Sequence, residues 1–154
     1  MKAGILVPYD GSSNASEALR VAVMAAKLLN EKIIVLNVQP SFRTIHTKMF
    51  FSDNAIREYQ EQLFHQAVEP AETFLKDANV EYEIKLRIGD AKEQILREAK
   101  GDQSGDNNCS NAGVRGIIMG SRGMNPIVGG VLGSVSYGVV NAAPCPVTII
   151  PFSC

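Results

Sequence analysis

Neither charge is in excess in this 154-residue chain: 15 lysines and arginines stand against 16 aspartates and glutamates, a formal charge of −1. Without a basic field to neutralise a run of phosphates, sequence-independent binding to DNA or RNA is not expected. Cysteine is sparse and badly placed. Cys109, Cys145 and Cys154 form an odd set without C-x-x-C spacing, far along the chain from His46 and His65, which argues against a disulfide framework and a zinc site. Cys109 has no histidine or cation cluster nearby to lower its pKa and reads as a bystander rather than a nucleophile. Charge vanishes altogether after Arg122, over a stretch longer than the ~18 apolar residues of a membrane span, but Asn125, Pro126, Gly129, Gly130, Pro144 and Pro146 break any single spanning helix. At the start, Ile5-Leu6-Val7 is closed at once by Pro8 and Asp10, too short a run for a secretory signal, so a cytoplasmic protein is expected.

Familiar catalytic signatures are missing too. No lysine follows Lys100, so there is no Gly-Lys-Ser/Thr phosphate loop, and G-x-G-x-x-G is absent. Gly133-Ser134-Val135-Ser136-Tyr137-Gly138 misses a nucleophile elbow by one residue, and no histidine follows it. His46, in a polar connection, and His65, on a long helix, read as surface or partly buried side chains. Tyr9 and Tyr137 offer either a face for stacking on a base or ordinary packing.

What the chain does have is apolar mass. At 45% hydrophobic, and about the length of one domain, residues 1–154 suffice for a single domain with one continuous core. Lys2–Val7 and Ile33–Val38 are unbroken hydrophobic runs, the pattern of strands buried on both faces of a parallel sheet. Between them Ser12, Ser13 and Asn14 offer N-cap oxygens, Glu17 completes a capping box with Asn14, and Ala15, Ala18, Leu19, Ala22, Ala26 and Leu29 recur at helical spacing. A second helical stripe runs from Asp53 to Ala78, where Pro70 should kink or split the helix. Val80–Ile88 alternates apolar and charged residues, as a strand near a sheet edge does. Asp90 caps a third helix, and residues 100–112 form a polar run expected to be a mobile surface loop. Val114–Met119 is a strand weakened by Gly116, Ser134–Asn141 a short helix, and Val147–Ile150 the last strand. Right-handed crossovers between these elements favour an α/β fold with a five-stranded, doubly wound parallel sheet, Rossmann-like, with helices on both faces.

In such sheets a ligand sits beyond the carboxyl ends of the strands where strand order reverses. The loop after the fourth strand reads Met119-Gly120-Ser121-Arg122-Gly123, and after nine residues Gly133-Ser134-Val135-Ser136 opens a helix. Glycines admit backbone amides close to phosphate oxygens, and the helix start adds donors and a favourable dipole end. Each charge-assisted bond is worth roughly 1.5–3 kcal/mol and association costs ~4 or more, so several such bonds give millimolar to micromolar affinity. The other reading of these glycines is a connection that merely turns the chain. Asp10, after a proline at a strand end, either takes ribose hydroxyls and helps hold a magnesium ion or caps the next helix.

The spacing Gly120-x2-Gly123-x9-Gly133-Ser134, with Ile5-Leu6-Val7-Pro8-Tyr9-Asp10-Gly11-Ser12, Gly89-Asp90-Ala91 and Pro144-Cys145-Pro146-Val147, closely resembles the universal stress protein family, specifically its ATP-binding branch. The resemblance implies an adenine-nucleotide module of the adenine nucleotide alpha hydrolase-like kind with strand order 3-2-1-4-5. It implies that Pro8, Tyr9 and Asp10 meet base and ribose, that Val38 lines the adenine pocket, and that Met119, Gly120, Ser121, Arg122, Gly123, Gly133, Ser134, Val135 and Ser136 hold ribose and phosphates. ATP, AMP or ADP would be the ligand, with Mg or Mn accompanying it beside Asp10. The chain departs from the family at Arg115-Gly116, where an acidic residue is usual, and in lacking cations from Met124 to Leu132, which leaves phosphate binding to backbone donors and Arg122. Val147, Thr148, Ile149 and Ile150 form an apolar final strand with an uncovered edge, and a homodimer is expected across it. The expected function is a nucleotide-sensing regulatory module of the stress response acting through unknown protein partners. A weak ATPase or phosphoryl-transfer enzyme and a ligand-free dimeric scaffold are the alternatives.

Overall fold

The computed structural model describes residues 3–101, 113–122 and 132–152. Five strands, β1 (Gly4–Pro8), β2 (Lys32–Gln39), β3 (Tyr82–Ile88), β4 (Val114–Gly120) and β5 (Val147–Ile150), alternate with helices α1 (Ser13–Leu29), α2 (Ile45–Phe50), α3 (Asp53–Lys76), α4 (Ala91–Lys100) and α5 (Ser134–Ala142). The sheet is parallel throughout, in the order β3-β2-β1-β4-β5.

The unbroken apolar runs serve two faces at once. Ile5, Val7, Ile33 and Val35 pack with Ala18, Leu19 and Ala22 of α1 and Val68, Ala71 and Leu75 of α3. Their neighbours in sequence, Leu6, Ile34 and Leu36, face the other way, onto Ile95 and Ala99 of α4 and Val139 of α5. A strand between two helical layers has no polar face, which is why β1 and β2 show no alternation. At the edge, β3 does alternate. Tyr82 and Ile84 join the core, while Lys85 and Arg87 bind the carboxylate of Glu98 on α4 at 2.7 Å each.

Local signals resolve differently in three places. Ser12, not Asn14, caps α1 by accepting from the Ala15 amide, so the capping box does not form and Glu17 pairs instead with Arg20 at 2.8 Å. Pro70 does not split α3, which runs from Asp53 to Lys76. Its cost of ~3 kcal/mol is offset by the burial of Val68 and Leu75 on either side, at about 1.5–3 kcal/mol each. His46 lies not in a polar connection but in the six-residue α2, which is capped by Thr44, buries no side chain and is too short to show a period.

β4 pairs with β1 through an irregularity: Gly4 faces Val114 and Ile5 faces Gly116, leaving Arg115 as the extra residue. Arg115 ion-pairs with the buried carboxylate of Glu31, just before β2. The polar run at 102–112, with Cys109, lies outside the described residues, as does Cys154.

Candidate functional site

Chain order reverses beside β1, with β2 on one side and β4 on the other, and there the strand ends frame a cavity of about 430 Å³. That falls within the ~300–1,000 Å³ of small-molecule sites. Pro8, Tyr9 and Asp10 come from the end of β1, and Leu36, Asn37 and Val38 from β2. Met119, Gly120 and Arg122 close it from β4, and Gly133, Ser134, Val135 and Ser136 from the start of α5. Ala15 of α1 and Ala91 and Ile95 of α4 complete the wall.

The β1 side is built by backbone and amide bonds. The Tyr9 amide donates to the Leu36 carbonyl at 2.8 Å, and the buried Asn37 side chain donates to the Tyr9 carbonyl at 2.8 Å while accepting from Gln39 at 2.7 Å. The Tyr9 ring belongs to the core on the α1 face, and its hydroxyl shares a 2.8 Å hydrogen bond with Ser16. Burial pushes that hydroxyl above its ordinary pKa, against the opposing effect of Ser16. Asp10 accepts from the Ser12 amide at 2.9 Å through one carboxylate oxygen, an Asx turn that leads the chain into α1. Gly11 follows at φ +86°, and a side chain there would press on the Ala67 backbone of α3 at 3.0 Å.

The opposite side is held by α5 and its approach. α1, α2, α3 and α4 each begin with a Ser, Thr or Asp side chain accepting from a first-turn amide. α5 begins with Gly133 and has no such cap, nor an acidic residue in its first turn. Its first helical bond runs from the Tyr137 amide to the Gly133 carbonyl, so the amides of Ser134, Val135 and Ser136 have no partner within the helix. All three residues line the cavity. A helix start of this kind carries about half a positive charge and is a site for an anion. The Ser136 hydroxyl, which is buried, donates to the Gly120 carbonyl at 2.8 Å and joins α5 to the end of β4.

Of the residues named from the sequence, Pro8, Tyr9, Asp10, Val38, Met119, Gly120, Arg122, Gly133, Ser134, Val135 and Ser136 converge on this one cavity. Ser121 does not line it. Its amide donates to the Ile150 carbonyl, its hydroxyl accepts from the Phe152 amide, and its carbonyl accepts from the Gly133 amide, so all three groups are spent on the surrounding chain. Gly123 lies outside the described residues. Gly120 also makes room for a neighbour, because a Cβ at that position would sit 2.5 Å from Oδ1 of Asn14. Ala91 joins the lining from Gly89-Asp90-Ala91, a motif of the resemblance that names no site residue, and Ala15, Leu36, Asn37 and Ile95 join it although no motif marks them. Asn37 alone leaves a trace, as the single polar residue within the apolar run of β2. Tyr137 is 63% exposed and does not line the cavity.

Among the described residues, Asp10 and Arg122 are the two lining side chains of acidic or strongly basic type. Among the described residues no group of three or more His, Cys, Asp or Glu is placed to hold a metal ion, so a cation here would rely on Asp10 and on oxygens of the ligand itself. Among the described residues no helix is long and apolar enough to cross a membrane.

Residues 3–104 and 109–151 match the model of the universal stress protein family. A universal stress protein of Thermus aquaticus is 29% identical over 148 residues, spanning 95% of this chain and 96% of that protein. The structure of UspA from Lactobacillus plantarum superposes with a TM-score of 0.78 at 24% identity, covering 97% of each chain. The universal stress protein of Archaeoglobus fulgidus solved in complex with dAMP gives a TM-score of 0.65 at 22% identity over 96% of this chain and 97% of that one. At these identities the two structures are similar to this chain in fold.

Proposed function

The chain belongs to the universal stress protein family, and on that premise we propose that its cavity binds an adenine nucleotide, ATP in the first place with AMP or ADP as competitors. The observation that carries the reading is the uncapped start of α5, whose first residues line a cavity at the reversal of strand order. The dAMP bound by the Archaeoglobus fulgidus protein of the same fold supports it. In this reading Val38 and Pro8 pack against the base and Asp10 takes the ribose hydroxyls with its remaining oxygen. The amides of Ser134, Val135 and Ser136, with Arg122, take the phosphates. Mg or Mn would arrive on the phosphates and meet Asp10, the one carboxylate among the described residues of the lining.

The role is a sensor rather than a catalyst. Among the described residues lining the cavity there is no lysine or histidine to act on a transferring phosphoryl group. The single domain would act in the cytoplasm as a homodimer paired along β5, passing nucleotide status to protein partners. Calorimetric titration of the purified chain with ATP and AMP tests the reading. Saturable binding in the micromolar to millimolar range, with no phosphate release above the uncatalysed rate, is expected. A flat titration up to millimolar nucleotide rejects it.

A further inference from the structure

We propose that Asn14 and Ser121 form a relay between the cavity and the end of β5, so that a nucleotide held at the cavity rim orders the chain at the outer edge of the sheet. The proposal rests on the nucleotide reading above and adds regulation to it.

Asn14 is an odd residue for its place. It lies in the first turn of α1, 2% exposed, on the face that otherwise buries alanine and leucine. A buried amide is costly unless hydrogen-bonded, and Asn14 meets that demand at long range. Its Oδ1 accepts from the Arg122 amide, 108 residues away, at 2.9 Å. Its Nδ2 donates to the carbonyls of Ile150 at 3.1 Å and Pro151 at 3.4 Å. One side chain thus clasps the loop after β4 to the segment after β5.

Ser121 makes the same junction from within the loop. Its amide donates to Ile150 at 2.9 Å, its hydroxyl accepts from Phe152 at 3.2 Å, and its carbonyl accepts from Gly133 at 2.8 Å. The residues on either side, Gly120 and Arg122, line the cavity, and Gly133 is the cap of α5. The Arg122 guanidinium lies 5.8 Å over the Phe152 ring, so one cation serves both the cavity and the tail of β5. A ligand that immobilises the 120–122 backbone immobilises the acceptors of the 150–152 segment with it. Reciprocally, pairing at the β5 edge favours the bound state of the loop.

Amide hydrogen exchange by NMR on the intact chain, with and without saturating ATP and with binding recorded separately by titration, tests the relay. Exchange of the Ser121 and Phe152 amides is expected to slow at least about 5-fold on binding. Ser121→Ala removes the acceptor of the Phe152 amide and should abolish the ATP-dependent slowing there while ATP still binds. Asn14→Asp keeps an acceptor for the Arg122 amide but sets a carboxylate against two carbonyls, and should do the same. A merely structural Asn14 would instead speed exchange equally with and without ATP. Saturable binding with unchanged Phe152 exchange in the native chain overturns the relay, as does an undiminished ATP effect in Ser121→Ala. A flat titration overturns the relay together with the nucleotide reading, and is told apart because it is read from the isotherm.

Discussion

Gly120 and Gly133 read alike in the sequence, as two glycines of one cradle whose replacement should abolish binding and spare the fold, yet the structure separates them. An added Cβ at Gly120 would lie 2.5 Å from Oδ1 and 2.6 Å from Cγ of Asn14, well inside contact distance. Asn14 has nowhere to retreat, being buried and held by three hydrogen bonds. Relieving the clash breaks at least one of these, at about 1–3 kcal/mol for a buried group left unpaired, and strains the packing by a similar amount. Gly120→Ala should therefore cost about 2–6 kcal/mol, lowering Tm by roughly 4–24 °C for a chain of this size. At Gly133 the backbone is extended with φ −64°, and the nearest atom to an added Cβ is the Ser121 carbonyl oxygen at 3.3 Å. Gly133→Ala is then limited to a few tenths of an ångström of adjustment and a poorer cap, about 1 kcal/mol or less. Urea denaturation followed by circular dichroism, since the chain has no tryptophan, measures both. The losses from Asn14→Ala and Gly120→Ala should add to less than their sum in the double variant, because the two residues occupy one space and Asn14→Ala already breaks the bonds that the added Cβ would disturb. Equal destabilisation of the two glycine variants, within about 0.5 kcal/mol, would refute the reasoning.

Glu98 is buried beneath Lys85 and Arg87. Burial alone raises its pKa, but hydrogen bonds and charge from those two cations outweigh it and hold the carboxyl below its ordinary value. Its stabilisation is therefore present above pH 4.5, the ordinary value, and lost as pH falls through the folded one. Lys85 is held above its own ordinary value, chiefly by its hydrogen bond to Glu98, so its share is full below that value and fades as pH rises through the raised one. Glu98→Gln should lose about 1–3 kcal/mol at neutral pH and show a shallower decline below pH 4.5 than the native chain in acid-dependent urea melts. At the other edge of the sheet, Thr148 is exposed within β5. Thr148→Glu should leave the melting temperature within a few degrees and convert a dimer to a monomer by light scattering at micromolar concentration. A native chain that is already monomeric there removes the β5 pairing from the proposed function.

The parts of this fold that are legible in the sequence are those where one physical demand dominates. Ile33–Val38 is apolar at every position but Asn37 because helices cover both faces of β2, and Ser12 and Asp90 cap because the amides after them need acceptors. Sequence patterns mislead where two demands compete. Pro70 is a helix breaker locally, but Val68, Ala71 and Leu75 bind the helix to the sheet on both sides of it. Asn14 has the chemistry of a cap and is spent on chain segments more than a hundred residues away. α2 leaves no trace at all, since six residues with none buried carry no period. The cavity is legible from its glycine side, while its wall from α4, Ala91 and Ile95, follows only from the crossover that lays α4 over β2 and β4.

The glycines of the loop after β4 are thus as much a record of how the chain packs as of what the cavity holds. Gly120 is small because Asn14 lies against it, and Ser121 is spent on Ile150, Phe152 and Gly133. Among the described residues, what is left to grip a ligand is the first-turn amides of α5, the second oxygen of Asp10 and the guanidinium that Arg122 shares with Phe152. Amides oriented by a helix recognise an oxyanion without regard to how many phosphates follow it. With one cation among the described residues of the lining, those residues offer little to prefer three phosphates to one. On the proposed nucleotide reading, a chain built this way would respond to the ratio of adenine nucleotides rather than to ATP alone, and AMP is expected to displace ATP in a competition titration.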